Sequence, residues 1–380
     1  MPDARPIAPI APARWPTASI PPARRPLPLV AAAALALAVG GWAGLVRSGW
    51  PWPAPGDGAV AGHGALLVSG FVAALIAFER AIVVRRRWAN LAPLGAVAGA
   101  AATVLAEPRV AALLALGGAL ALGAVYVAGL RRQPSLSAAI MLAGAAGWAG
   151  GALAWASGGA AFTLVPWWIA FLTLTIAGER LELSRLTRPS GRARAAFVAA
   201  CALAVAAAAV SLASFDLGLR LLGVALLGVA AYLGRNDLAP RNARKTGLVR
   251  FIALAVTSSY VWLAVAGALL VLYDGVPAGL RWDALVHSFM LGFAVIMIFG
   301  HAPIIVPAVL GVAIGYRPSF YAHLALLHVA LLLRVGGDLL GSADARQWGG
   351  LLSGVAVLVF LANTLSAART RRPTPAVPGR

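Results

Sequence analysis

Twelve apolar runs of about twenty residues, separated by short polar loops, constrain this chain more than any other feature of it. A run of that length crosses the roughly 30 Å hydrocarbon core of a bilayer as a helix, which satisfies its own backbone hydrogen bonds. The runs are placed at about 28–47, 60–83, 90–106, 110–130, 136–157, 161–182, 194–213, 217–234, 249–273, 283–308, 318–337 and 347–366. The expected fold class is therefore all-α, a polytopic membrane protein of about 12 transmembrane helices. Only 11% of the residues are charged, against about 25% in a soluble domain, so no second soluble domain is expected. Residues 1–27, rich in Pro, Ala and Arg without periodicity, read as a disordered cytoplasmic tail. Residues 28–366 form the expected transmembrane domain, and 367–380 a second cytoplasmic tail.

A net charge of +19 would suggest nucleic acid as the partner of a soluble protein. Here the cations sit in the loops after the even-numbered runs: Arg85 to Arg87, Arg131 and Arg132, Arg185 with Arg188, Arg192 and Arg194, then Arg241, Arg244 and Lys245, and Arg317. That pattern orients a chain in a lipid bilayer, with these loops and both termini inside, and excludes a nucleic-acid reading. The opposite loops carry Asp57, Glu107, Asp216, Asp274, Asp283, Asp338 and Asp344 and face outward. A bacterial inner membrane is the expected location. Arg24-Arg25 reads as a charged stop ahead of an uncleaved first helix, with a twin-arginine export signal as the alternative. The single cysteine, Cys201, allows neither an internal disulfide nor a cysteine-based metal site.

One pattern recurs every four runs. Phe71 and Glu79 in run two, Phe171 and Glu179 in run six, and Phe293 and His301 in run ten are each separated by seven residues. Runs two and six also share Ile-Ala-x-Glu-Arg at 76–80 and 176–180, and Gly70-Phe71 matches Gly292-Phe293. Three four-helix pseudo-repeats are the natural explanation, because intramembrane charge is too costly to recur idly.

All five histidines, His63, His287, His301, His323 and His328, fall in or at the edge of a run. A single such histidine is as readily a hydrogen-bond partner between helices as a ligand, but all five together point to ligation. His63 and His287 lie near the outer ends of helices two and ten and are suited to hold a heme b between them, with Arg334 as partner for its propionates. Arg334 has the alternative of snorkelling to the headgroups. His301 lies fourteen residues beyond His287, within about 40° of the same face. His323 and Arg334 match this spacing on helix eleven, so His301 and His323 are expected to meet in an inner cluster, with His328 a looser member. Glu79 and Glu179 surround the same region. They are either the anions of salt bridges with Arg80 and Arg180 at the helix ends, or carboxylates of a second metal site for copper or iron, or a proton path. Pro303 and Pro307 are expected to kink or end helix ten. No phosphate loop, dinucleotide fingerprint or nucleophile elbow occurs.

Twelve helices in three units, with Gly62-His63-Gly64-Ala65-Leu66-Leu67 on helix two and His287-Ser288-Phe289-Met290-Leu291-Gly292-Phe293 on helix ten, resemble subunit I of the heme-copper oxygen and nitric oxide reductases. The chain is also similar to their shorter relatives, the NnrS-type membrane proteins of nitric oxide metabolism. The resemblance implies three arcs of four helices and a low-spin heme held by the histidines of helices two and ten. It does not extend to the copper centre, because runs six and seven contain Glu179, Glu182 and Cys201 but no histidine. The expectation is a heme-binding membrane protein tied to nitric oxide or respiratory electron transfer, with a small gas or a redox protein as partner. The alternatives are a proton-coupled secondary transporter using the membrane Glu and His residues without a cofactor, and an assembly partner that has lost its metals.

Overall fold

The computed structural model describes residues 27–184, 187–273, 275–310 and 312–369. Most of both expected tails, together with Arg185 and Asp274, lies outside these residues. The described chain forms α1 (Leu27–Arg47), α2 (His63–Val84), α3 (Leu91–Val104), α4 (Pro108–Arg132), α5 (Leu136–Ala156) and α6 (Val165–Ser184). It continues with α7 (Gly191–Val210), α8 (Phe215–Asn236), α9 (Gly247–Leu272), α10 (residues 279–310), α11 (Phe320–Leu340) and α12 (Ala343–Ala367). Among the described residues, eleven helices are long and apolar enough to cross a membrane. The protein is therefore an all-α, multi-pass membrane protein.

The exception is α3. Its run was expected to span, but the helix has 14 residues after a tight turn at Arg87–Asn90, or about 21 Å of rise. Its glycines explain why a short helix is held here. A Cβ on Gly95 would stand 2.6 Å from the backbone nitrogen of Gly118 on α4, and one on Gly99 would stand 3.1 Å from the carbonyl oxygen of Ala111. Small residues let the two backbones approach where apolar burial alone gives no drive in lipid.

Consecutive helices pack on one another, and α1 touches α12, so the first and last of these helices meet. Burial falls unevenly along this ring. In α6, 78% of the spanning window is buried, against 22% in α1 and 28% in α7 and α12. Helix α2 leans on α5 and α6: Gly64 faces the Trp168 ring of α6, and Trp148 of α5 stacks on Phe171 of α6 and donates to Ser69 of α2 at 3.2 Å.

Two departures from regular helix bear on the polar groups these helices carry. Leu66–Val72 in α2 and Ser288–Val295 in α10 are wound as π-helix, the wider turn that recurs at functional sites. Helix α10 also runs on through Pro303 and Pro307 to Leu310 and does not end there. Each proline deletes one backbone donor, which costs less than ending a helix in an apolar surrounding. After α12 the chain does not fray at once, since Ala368–Arg369 pairs antiparallel with Ala313–Ile314.

Gly95→Ala should force α3 from α4 and lower the thermal unfolding midpoint in detergent, with a loss of about 1–3 kcal/mol. Gly117→Ala, where nothing stands within 4 Å of the added carbon, should be neutral or stabilising by up to about 1 kcal/mol.

Candidate functional site

Buried polar side chains gather at both ends of the α2, α6 and α10 triad. At the His63 end, the Nδ1 atom of His287 lies 2.8 Å from the carbonyl oxygen of Asp283, one turn back. A proton on Nδ1 satisfies that carbonyl and leaves the Nε2 lone pair free. Arg334 of α11 donates to both Asp283 carboxylate oxygens at 2.8 Å. The sequence placed Asp283 and Asp338 in outward loops, whereas both sit inside helices. Arg334 makes this tolerable for Asp283 by pairing with it.

His63 lies within electrostatic range of His287, Arg334, Asp283 and Arg47. Among the described residues no hydrogen bond holds its ring, and Gly44 of α1 passes beside it, where a Cβ would come 3.7 Å from the ring carbon. Behind this group, the buried carboxyl of Asp338 lies against that of Asp283, and neither of its oxygens receives a hydrogen bond. Arg346 Nε, which makes no hydrogen bond, forms a long ion pair with Asp338 Oδ1 at 4.0 Å.

At the other end, adjacent residues of α6 reach in opposite directions. Glu179 forms an ion pair with Arg80 of α2. Arg180 donates to Asp237 Oδ2 and Oδ1 at 2.7 and 2.6 Å, and Tyr260 of α9 donates to the same carboxylate at 2.9 Å. Asp237 also accepts from the Ala239 backbone N–H at 2.7 Å. Arg180 Nη1 approaches His301 Nε2 at 3.4 Å, while His301 Nδ1 meets the Met297 carbonyl at 2.8 Å. Both nitrogens of His301 are thus engaged, the first by a cation that only donates.

The structure does not bring His301 and His323 into contact. His323 meets α10 at Phe299 instead, with ring centroids 4.9 Å apart, two residues and about 200° around the helix from His301. The π-helical stretch between His287 and His301 advances the chain by less than 100° per residue, so the expected shared face is lost. His323 is enclosed by Phe251, Phe299, Phe320 and Phe360, and Asn363 reaches its Nδ1 at 3.2 Å. His328 bridges helices, accepting from Trp262 at 3.0 Å and meeting Ser258 at 3.1 Å. Glu79 lies beside Arg80 and Glu179 but makes no hydrogen bond or ion pair of its own among the described residues.

Among the described residues no group of three or more His, Cys, Asp or Glu side chains is arranged to hold a metal ion. A heme asks less of the protein, since the porphyrin supplies four of the iron's ligands and imidazoles the axial ones. His63 and His287 suit that donor set. Reading the sequence alone misses Asp237, Tyr260, Arg47 and Arg346. Asp237 carried a signal, as a lone acid within the basic loop Arg235 to Lys245.

The chain belongs to the family described as "Domain of unknown function (DUF8744)", whose profile matches residues 25–369. No curated protein and no solved structure matches it.

The two ion pairs differ in burial: the side chains of Arg180 and Asp237 are 7% and 0% exposed, those of Arg80 and Glu179 21% and 29%. Asp237→Asn should therefore cost about 3–5 kcal/mol, because it strands a buried guanidinium. Glu179→Gln should cost about 1 kcal/mol or less. Thermal unfolding of the two variants in one detergent checks the order.

Proposed function

We propose that this DUF8744 protein holds a heme b between His63 of α2 and His287 of α10 and uses it to pass electrons or to bind a diatomic gas. The observation that carries the reading is the approach of these two imidazoles from different helices, one with a free Nε2 and the other with no protein partner. The heme would supply one-electron chemistry, and the protein's part is to fix its ligands. His287 is the anchored ligand, tied by Nδ1 to a carbonyl that also sets its tautomer. His63, held by no hydrogen bond among the described residues, would be the less firmly fixed of the two residues that hold the group. Arg334 is already bidentate to Asp283, so its role towards a propionate is shared with that carboxylate.

A distant relationship to the heme-copper oxidase and NnrS-type proteins, with three four-helix units, belongs to the same proposal. It is supported by the equivalent placement of the two π-helical stretches: Leu66 stands five residues before Phe71, and Ser288 five before Phe293. The histidines are offset in that frame, His63 eight residues before Phe71 and His287 six before Phe293. The reading does not extend to a second metal at His301 and His323, which face different neighbours. We place the protein in a bacterial inner membrane with the Arg80 end inside, on the distribution of loop cations.

Glu79 favours a second reading. Its partly buried carboxylate, unpaired beside Glu179, suits a proton-coupled transporter.

Oxidised and dithionite-reduced absorption spectra of the purified protein test the first reading. A reduced b-type spectrum is expected in the wild type, lost or markedly altered in His63→Ala and His287→Ala and retained in His328→Ala. A colourless wild type made with ample heme would contradict it and turn attention to proton uptake in Glu79→Gln.

A further inference from the structure

A groove of about 430 Å³ opens between the starts of α9 and α11, lined by Thr246, Gly247, Arg250, Leu254, Tyr316 and Tyr321. Its wall offers one guanidinium, two phenol hydroxyls and a threonine hydroxyl. Arg250 is exposed and makes no ion pair or side-chain hydrogen bond among the described residues. The stretches that supply the lining, residues 239–273 and 312–337, contain no Asp or Glu but carry Arg241, Arg244, Lys245 and Arg317 besides Arg250. An oriented cluster of cationic and hydroxyl donors without an anion matches a phosphate oxygen.

The groove also has an apolar exit. Leu254 and Val261 follow Arg250 on α9 within about 40° of one helical face, and Val261 is 61% exposed. A chain lying on that stripe runs from the guanidinium along the lipid-facing surface of α9. A free phosphate would need only the donors, whereas a phospholipid uses the stripe as well.

We propose that this groove is a binding site for one anionic phospholipid, with its phosphate on Arg250, Tyr316 and Tyr321 and an acyl chain on Leu254 and Val261. The site lies at the Arg180 end of the protein, on the helix that supplies Tyr260 to the buried network. It is independent of any cofactor at the opposite end.

Native mass spectrometry of the full-length protein in detergent, titrated with phosphatidylglycerol or phosphatidylcholine, tests this. The wild type should retain one phosphatidylglycerol in preference to phosphatidylcholine. Arg250→Gln should bind that lipid about tenfold more weakly, the loss of a charge-assisted hydrogen bond, and Tyr321→Phe several-fold more weakly. Thermal unfolding of each variant, unchanged in lipid-free detergent, shows that the fold is intact. Equal phosphatidylglycerol binding by wild type and Arg250→Gln would overturn the proposal, as would equal retention of the two lipids. Millimolar glycerol phosphate that displaces the lipid completely would assign the groove to a soluble phosphate and overturn it too.

Discussion

Glu179 and Arg180, adjacent on the most deeply buried helix, are the constraint on which the rest of the arrangement depends. Their side chains leave α6 on different sides, one to Arg80 on α2 and the other to Asp237, Tyr260 and His301. Buried ion pairs are poor sources of net stability, because desolvation consumes most of their attraction. In lipid, however, apolar helices gain little by choosing one register over another. A pair that must be satisfied supplies that choice. Helix α6 cannot turn or slide by one residue without stranding a charge, so α2, α9 and α10 are held to it in one register.

A second polar group lies at the far end of the same helices. At that end His63 and His287 share one charged neighbourhood with Asp283, Arg334 and Arg47, and each is followed by a π-helical stretch. The two ends then differ in chemical character. At the Arg180 end Arg180, Asp237 and both nitrogens of His301 are spent on protein partners, whereas among the described residues Glu79 is unpaired and Arg80 Nε and Tyr126 Oη make no hydrogen bond. At the His63 end the imidazoles keep free nitrogen, and the Asp338 oxygens, opposite Arg346, accept no hydrogen bond.

Much of this was legible in the residues. Span positions followed from apolar length, and the matched Phe and Glu positions pointed to α2, α6 and α10 before any packing was known. The salt-bridge reading of the Glu-Arg motifs holds only for Glu179, which pairs with Arg80 across helices; Glu79 forms no ion pair among the described residues, and Arg180 pairs with Asp237. What escaped has physical causes. The shared face of His287 and His301 assumed a uniform 100° per residue, which a π-helical stretch does not keep. Asp237 is 57 residues from Arg180, and no local periodicity signals a partner at that distance. Helix α3 begins only after the turn at Arg87–Asn90 and ends at Val104, boundaries that apolar composition does not announce.

Low-temperature electron paramagnetic resonance of the oxidised protein is the direct test of ligation by two histidines on separate helices. A low-spin ferric signal in the wild type that becomes high-spin in both His63→Ala and His287→Ala is the expected result. A low-spin signal unchanged by either substitution, or no ferric heme signal in protein produced with heme supplied, would contradict it.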